Sequence, residues 1–416
     1  MDQPTDVPSR SRGPHVRGPQ PLRPLALLLV VLAGCQSGVD GGQAAAPTTS
    51  SAPTPAAAQE VDAAVISIDP PLGSVDVDPV TPLRVFAGHG TLSAVAVTDD
   101  AGTPLAGALD PASATWTAST DLGYGTTYTV TATATDAAGR TTTSTGTVGT
   151  VSPRTLTMPT VFPNADNPVV GVGQPISITF DEDVTDRAAV ERRLSVVTTP
   201  HVDGSWSWLS DRTVHYRPAD FWPARTHVAV DADLYGVDVG GGVHGQASKH
   251  VEFDIGPKRV GVVDASELVL RLYVDDQLVQ SMPTSLGKSS SPTPSGTYVV
   301  MQQSRRYTMD SSTYGVPIDA PAGYRTEVEY ASRLSNSGIF VHAAPWSVGQ
   351  QGSRNVSHGC LNVSTANAGW FYDNFGRGDV VQVAGAGPRL AETDGFGDWN
   401  VSWDEWLAGS ALHPGV

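Results

Sequence analysis

The run "TTYTVTATATDAAGRTTTSTGTV", residues 126–148, sets Tyr128, Val130, Ala132 and Ala134 on alternate positions. A period of two places successive side chains on opposite faces of a strand. One face of this run is therefore apolar and the other carries threonine hydroxyls. An Ala-Ala-Gly turn and a second Thr-rich run complete a hairpin. The same alternation recurs in "PISITF", with Ile176, Ile178 and Phe180, and in "THVAVDADLYG", with Val228, Val230 and Ala232. A chain of 416 residues with 43 Gly and 32 Pro suits short strands joined by turns better than helical bundles. Its length allows roughly two to four domains.

Shifting the second segment by 100 residues superimposes Trp116 on Tyr216, Thr126 on Thr226 and Tyr128 on Val228. Val130 and Ala132 then fall on Val230 and Ala232. This internal similarity predicts two β-sandwiches of immunoglobulin size, over 62–150 and 151–255. No cluster of charged or aromatic residues marks a ligand face on either, so they read as spacers.

A third unit, 256–385, contains the short β runs "RVGVVDAS", "ELVLRLYV", "QLVQSMPTS", "GTYVVMQQS", "SGIFVHAAPW" and "DVVQVAG". One helix is expected, "TANAGWFYDNF", with Ser364 as N-cap and Gly376 just beyond its end. The fold class is mainly β: two immunoglobulin-like sandwiches, then a β-rich domain with a short helix. The C-terminal extension, 386–416, carries Trp399, Trp403 and Trp406. Aromatics at that density are expected to fold back onto a domain, because leaving them in water is costly.

The first 35 residues read as a targeting segment. Arg10, Arg12, Arg17 and Arg23 precede the apolar stretch Leu25–Ala33, which is too short for a bilayer core needing roughly 20 residues. It runs into "LAGC", residues 32–35, which resembles the lipobox of bacterial lipoproteins and implies lipidation of Cys35; the alternative is an ordinary secretory signal. Residues 36–61 are small, polar and Pro-rich, and read as a flexible tether. The expected location is therefore the outer face of the cell membrane, in the cell-wall space, with the membrane reached through the lipid. A net charge of −17 argues against nucleic acid as a partner.

The chain has two cysteines. If Cys35 is lipidated, Cys360 in "NVSHGCLNVS" has no disulfide partner. A thiol with its ordinary pKa near 8.5 is mostly protonated at neutral pH, and a histidine within reach activates it. His358 is two positions away and His342 lies on the preceding strand. Gly359 allows a sharp turn, so the amides of Gly359 and Cys360 are candidates for an oxyanion site. No Asp or Glu occurs between Glu329 and Asp373. A backbone carbonyl is therefore expected to orient the histidine. A zinc site of His342, His358 and Cys360 lacks a fourth ligand. A buried structural cysteine and a thiol peptidase of another fold stay open on spacing alone.

The segment "GIFVHAAPWSVGQQGSRNVSHGCLNVS", residues 338–364, resembles the L,D-transpeptidases, with a histidine 18 positions before the cysteine of Ser-His-Gly-Cys-x-Asn. "MDSSTYGVP", "GYRTEVEY" and "GDWN" resemble the actinobacterial branch with tandem immunoglobulin-like domains. The resemblance implies a peptidoglycan L,D-transpeptidase acting without metal or cofactor. Cys360 would attack a tetrapeptide stem, release D-alanine and pass the acyl group to an acceptor stem amine, forming 3-3 cross-links. It implies His342 as base, with His358 and Gly359 in the catalytic motif. Met309, Tyr314, Trp346, Ser357 and Asn362 would contact substrate. Stem peptides are the implied partners and carbapenems the implied covalent inhibitors. Ala343 follows the first histidine where relatives often carry serine or glycine, which suits a role played through the backbone carbonyl. L,D-carboxypeptidase activity, protein anchoring to peptidoglycan and a non-catalytic wall-binding lipoprotein are the alternatives.

Overall fold

The computed structural model describes residues 62–413, apart from 111–113 and 322. Cys35, the targeting segment and the tether lie outside the described residues, as does the side chain of Tyr314. The alternation in the Thr-rich run becomes one face of the strand Thr127–Asp136, with Tyr128, Val130, Ala132 and Ala134 buried. This strand lies between Gly90–Thr98 and Thr141–Gly149 in a three-stranded sheet. Its hairpin partner returns through a turn at Gly139, whose φ of +82° suits glycine. A four-stranded sheet, ordered Val65–Asp69, Arg84–Gly88, Thr115–Ala118 and Gly107–Asp110, closes the first sandwich around Leu83, Val85 and Trp116.

The second sandwich is built from two four-stranded sheets and a small three-stranded one. Ile176, Ile178 and Val214 face Val228, Val230 and Phe253 in its core. The 100-residue shift lands on equivalent places. Trp116 and Tyr216 sit on one sheet of their respective sandwiches, and Tyr128 and Val228 on the other.

In the third unit a five-stranded sheet runs Gln277–Pro283, Val269–Val274, Arg259–Asp264, Val380–Ala384 and Gly296–Val299. A four-stranded sheet runs Gln302–Asp310, Arg325–Arg333, Phe340–Ala343 and Leu361–Val363. The run "GTYVVMQQS" thus divides between two sheets. Val300 N–H donates to Asp379 O and Met301 N–H to Arg333 O, so consecutive amides serve different sheets. Leu361–Val363 was not legible as a strand, because three residues carry no period.

The helix Thr365–Asn374 is N-capped by Ser364, whose hydroxyl accepts from Asn367 N–H. It packs on Arg325–Arg333 and Phe340–Ala343, and so braces the strand that carries His342. A further helix, Trp403–Ala408, starts at a capping box made by Ser402 and Glu405.

The tail folds back onto two domains rather than one. Trp406 Nε1 donates to Ser205 O and Trp399 Nε1 to Gly173 O in the second sandwich, while Asn400 Nδ2 donates to Thr297 O in the third unit. The guanidinium of buried Arg217 lies 4.9, 5.4 and 4.5 Å from the rings of Trp399, Trp403 and Trp406. Close backbone approach completes the joint. Gly171 and Gly173 N–H donate to Arg377 O and Gly378 O, and a Cβ on Gly171 would come within 2.3 Å of Asp379 N.

Candidate active site

The strand Phe340–Ala343 runs parallel to Leu361–Val363, with His342 opposite Asn362. This pairing brings the residue just before the second strand, Cys360, to the level of the first histidine. The loop ahead of Cys360 is held from the side. Lys288 N–H donates to Ser357 O, Ser291 Oγ to His358 O, and Thr293 Oγ1 to Gly359 O at 2.7 Å. Gly359 turns at φ +130°, a region that disfavours any side chain.

Cys360 is 7% exposed, within a small apolar cluster with Met309, Val328, Ala331 and Phe340. It is a free thiol and its Sγ donates to Gly338 O at 3.4 Å. Burial pushes its pKa up to about 12, against a backbone hydrogen bond from Phe340. His342 is 3% exposed, and its Nδ1 lies 2.9 Å from Ala343 O. A carbonyl oxygen only accepts, so Nδ1 carries the hydrogen. Burial lowers the imidazole pKa to about 4, opposed by the Ala343 carbonyl and the Asn362 side chain. The residue is therefore neutral at physiological pH, and its Nε2 holds a free electron pair.

A cavity of about 190 Å³ brings together Met309, His342, Trp346, Ser357, His358, Cys360 and Asn362. Trp346 is 59% exposed at its mouth, its ring 6.1 Å from that of His342. Asn362 Nδ2 donates to Ser347 Oγ, which fixes the carboxamide. Two expected roles are altered by the hydrogen bonds. Ser357 Oγ donates to Cys360 O at 2.7 Å and accepts from Gly359 N–H at 3.1 Å, so its hydroxyl is committed to the loop. The Gly359 amide, expected at the oxyanion, is engaged in this state. His358 is exposed and accepts from Lys288 Nζ at 2.9 Å. Although the residue is exposed overall, its ring is partly desolvated, and this desolvation first and the Lys288 charge second lower its pKa below the ordinary value. Among the described residues, no cluster of three or more His, Cys, Asp or Glu side chains suits a metal ion.

Residues 258–383 match the model of the L,D-transpeptidase catalytic domain, and residues 74–238 match that of a bacterial Ig domain. L,D-transpeptidase 2 of Mycobacterium tuberculosis is 47% identical over 340 residues, spanning 82% of this chain and 83% of that protein. The chain belongs to the L,D-transpeptidase family. L,D-transpeptidase 5 of the same species is 37% identical over 358 residues, spanning 84% of this chain and 77% of that one. A solved structure of M. tuberculosis L,D-transpeptidase 3 in complex with a faropenem-derived adduct is 35% identical, covering 54% of this chain and 96% of that one, with a TM-score of 0.46.

L,D-transpeptidases are acyltransferases with a cysteine nucleophile. Sequence reading did not single out Lys288, or Tyr324, whose ring lies 5.2 Å from that of His358. Tyr324, Thr326 and Val328 line the cavity at period two, and that alternation in "YRTEV" was the available signal.

Proposed function

We propose that this L,D-transpeptidase works at the outer face of the cell membrane, held by lipid on Cys35 and a tether. In this reading Cys360 is the nucleophile and His342 the base. The observation that carries it is the shared cavity of Cys360 and His342, with His342 Nδ1 committed to Ala343 O and Nε2 left as an acceptor. Burial holds both groups uncharged at rest, which supports proton transfer coupled to attack rather than a standing ion pair.

The thiol proton passes to His342 Nε2 as Sγ bonds to the carbonyl carbon of the third stem residue. The tetrahedral oxyanion draws on the Cys360 amide. It also draws on the Gly359 amide once that hydrogen is released from Ser357. Breaking the C–N bond returns the proton to the departing D-alanine amine and leaves a thioester. An acceptor stem amine then attacks the thioester carbonyl, its proton passing through His342 to the thiolate, and a 3-3 cross-link results. A carbapenem presents a strained lactam carbonyl to the same thiol, so acylation without turnover is expected.

The test is intact mass after mixing the protein with a disaccharide–tetrapeptide donor. An adduct lost in Cys360→Ala, and a dimeric product when acceptor is added, support the reading. An unmodified thiol after prolonged incubation overturns it. The anchor is tested by Cys35→Ala, which should leave the membrane fraction.

A further inference from the structure

His342 and Asn362 stand opposite each other on parallel strands and line one cavity, so their side chains share a face. A carboxamide has two unlike ends, and which end meets the imidazole depends on what holds the other. The backbone of Asn362 is fixed from the far side: its N–H donates to Ser285 O, and its carbonyl accepts from Ser285 N–H and Thr284 Oγ1. Its Nδ2 donates to Ser347 Oγ at 3.2 Å, both residues being buried. Ser347 belongs to the turn Pro345–Ser347, just beyond the His342 strand. Its hydroxyl donates to Ala344 O at 3.1 Å and accepts from Gln351 Nε2 at 3.3 Å. The same Gln351 nitrogen donates to Ala344 O at 3.2 Å. With its one hydrogen committed to a carbonyl, Ser347 Oγ meets Asn362 only as an acceptor. It therefore selects the amino end of the carboxamide and leaves the oxygen end for His342.

The electrostatics agree. Burial lowers the His342 pKa, and against it the Ala343 carbonyl and the Asn362 side chain favour the charged ring. An amide oxygen has that effect and an amide N–H the opposite one. We propose that Ser347 and Gln351 are positioning residues for acyl transfer, which lock the Asn362 carboxamide with Oδ1 toward His342. The ring gains a positive charge each time it takes the thiol proton. A dipole whose negative end is already in place stabilises that charge without reorganising. Gln351 matters because a lone hydroxyl rotates: its N–H on Ser347 Oγ keeps the hydroxyl hydrogen turned toward Ala344 O and away from Asn362. Asn362, expected to contact substrate, thereby serves the base as well. The assignment rests on His342 acting as that base.

The experiment uses the full chain in detergent, with imipenem as an acylating probe that needs no stem peptide. Intact mass follows adduct formation on Cys360 in single turnover across a range of imipenem concentrations. Ser347→Ala should lower the maximal acylation rate about tenfold and leave the half-saturating concentration unchanged. Ser347→Thr, which keeps the hydroxyl, should stay within about twofold of wild type, and Gln351→Leu should lose about threefold. A double-mutant cycle decides between positioning and simple packing. In an Asn362→Ala background, Ser347→Ala and Gln351→Leu should each slow acylation no further, because the group they hold is gone. Losses of undiminished size in that background overturn the assignment, as does a wild-type maximal rate in Ser347→Ala. If circular dichroism shows Ser347→Ala unfolded, the Gln351→Leu arm of the cycle decides alone. No imipenem adduct in wild type overturns both the assignment and the reading beneath it. If imipenem acylates Cys360 with the expected dependences but no stem peptide does, the transpeptidase reading fails and the positioning assignment stands.

Discussion

His342 Nδ1 donates to the carbonyl oxygen of Ala343, the next residue in the chain, at 2.9 Å. A contact between neighbours costs little chain entropy and needs no acidic side chain, which agrees with the acid-free stretch around it. It also makes the side chain at 343 immaterial to orienting the ring. Ala343→Ser should leave single-turnover acylation of Cys360 within about twofold of wild type. His342→Gln, which keeps polarity but removes the base, should slow it by roughly 10²–10⁴. Rapid-quench mass spectrometry reads both.

The acid limb of acylation should follow His342. With its pKa lowered to about 4, the imidazole is neutral above that pH and loses its acceptor pair only below it. Without substrate, alkylation of Cys360 by iodoacetamide should keep rising with pH beyond 10, since burial pushes the thiol up to about 12. A plateau near pH 7 would show a standing ion pair instead.

Gly359 turns at φ +130°, and a Cβ there would lie 2.7 Å from Ile339 Cδ1. Gly359→Ala should twist the loop ahead of Cys360, at a strain of about 1–3 kcal/mol. The expected result is a folded protein with at least tenfold slower acylation, checked by circular dichroism beside the kinetic assay.

Lys288 Nζ donates to His358 Nε2 at 2.9 Å. Its charge, after burial, holds the His358 pKa down. Lys288→Met should therefore raise that pKa toward the ordinary histidine value. An NMR titration of the ring protons measures it, and an unchanged midpoint refutes the coupling.

Asp379 lies buried at the joint with the second sandwich, its Oδ1 without a hydrogen-bond partner and its pKa pushed up to about 7 by burial. A raised folded pKa means that the unfolded chain ionises first. The contribution of Asp379 to stability is then fully present below about pH 3.8 and is lost as pH rises to about 7, by on the order of 4 kcal/mol. Asp379→Asn removes that loss. Its melting temperature should exceed wild type by several degrees at pH 8 and match it near pH 4, in parallel calorimetric scans.

Local pattern carried much of this molecule. Alternation at Tyr128 to Ala134 and at Ile176 to Phe180 specifies strands with one buried face, because the period of a strand is a property of the backbone itself. Ser364 announces its helix for the same kind of reason, as a hydroxyl one position ahead of it caps an orphan amide. The motif around Cys360 points to its chemistry through residue type and spacing. Other features depend on contacts between distant segments. Lys288 and Tyr324 reach His358 only because separate loops converge there, and the division of "GTYVVMQQS" depends on which sheet claims each amide. The tail tryptophans meet Arg217 in a different domain. The opposed shifts of Cys360 and His342 arise from desolvation, which exists only once the surrounding chain has packed and excluded water.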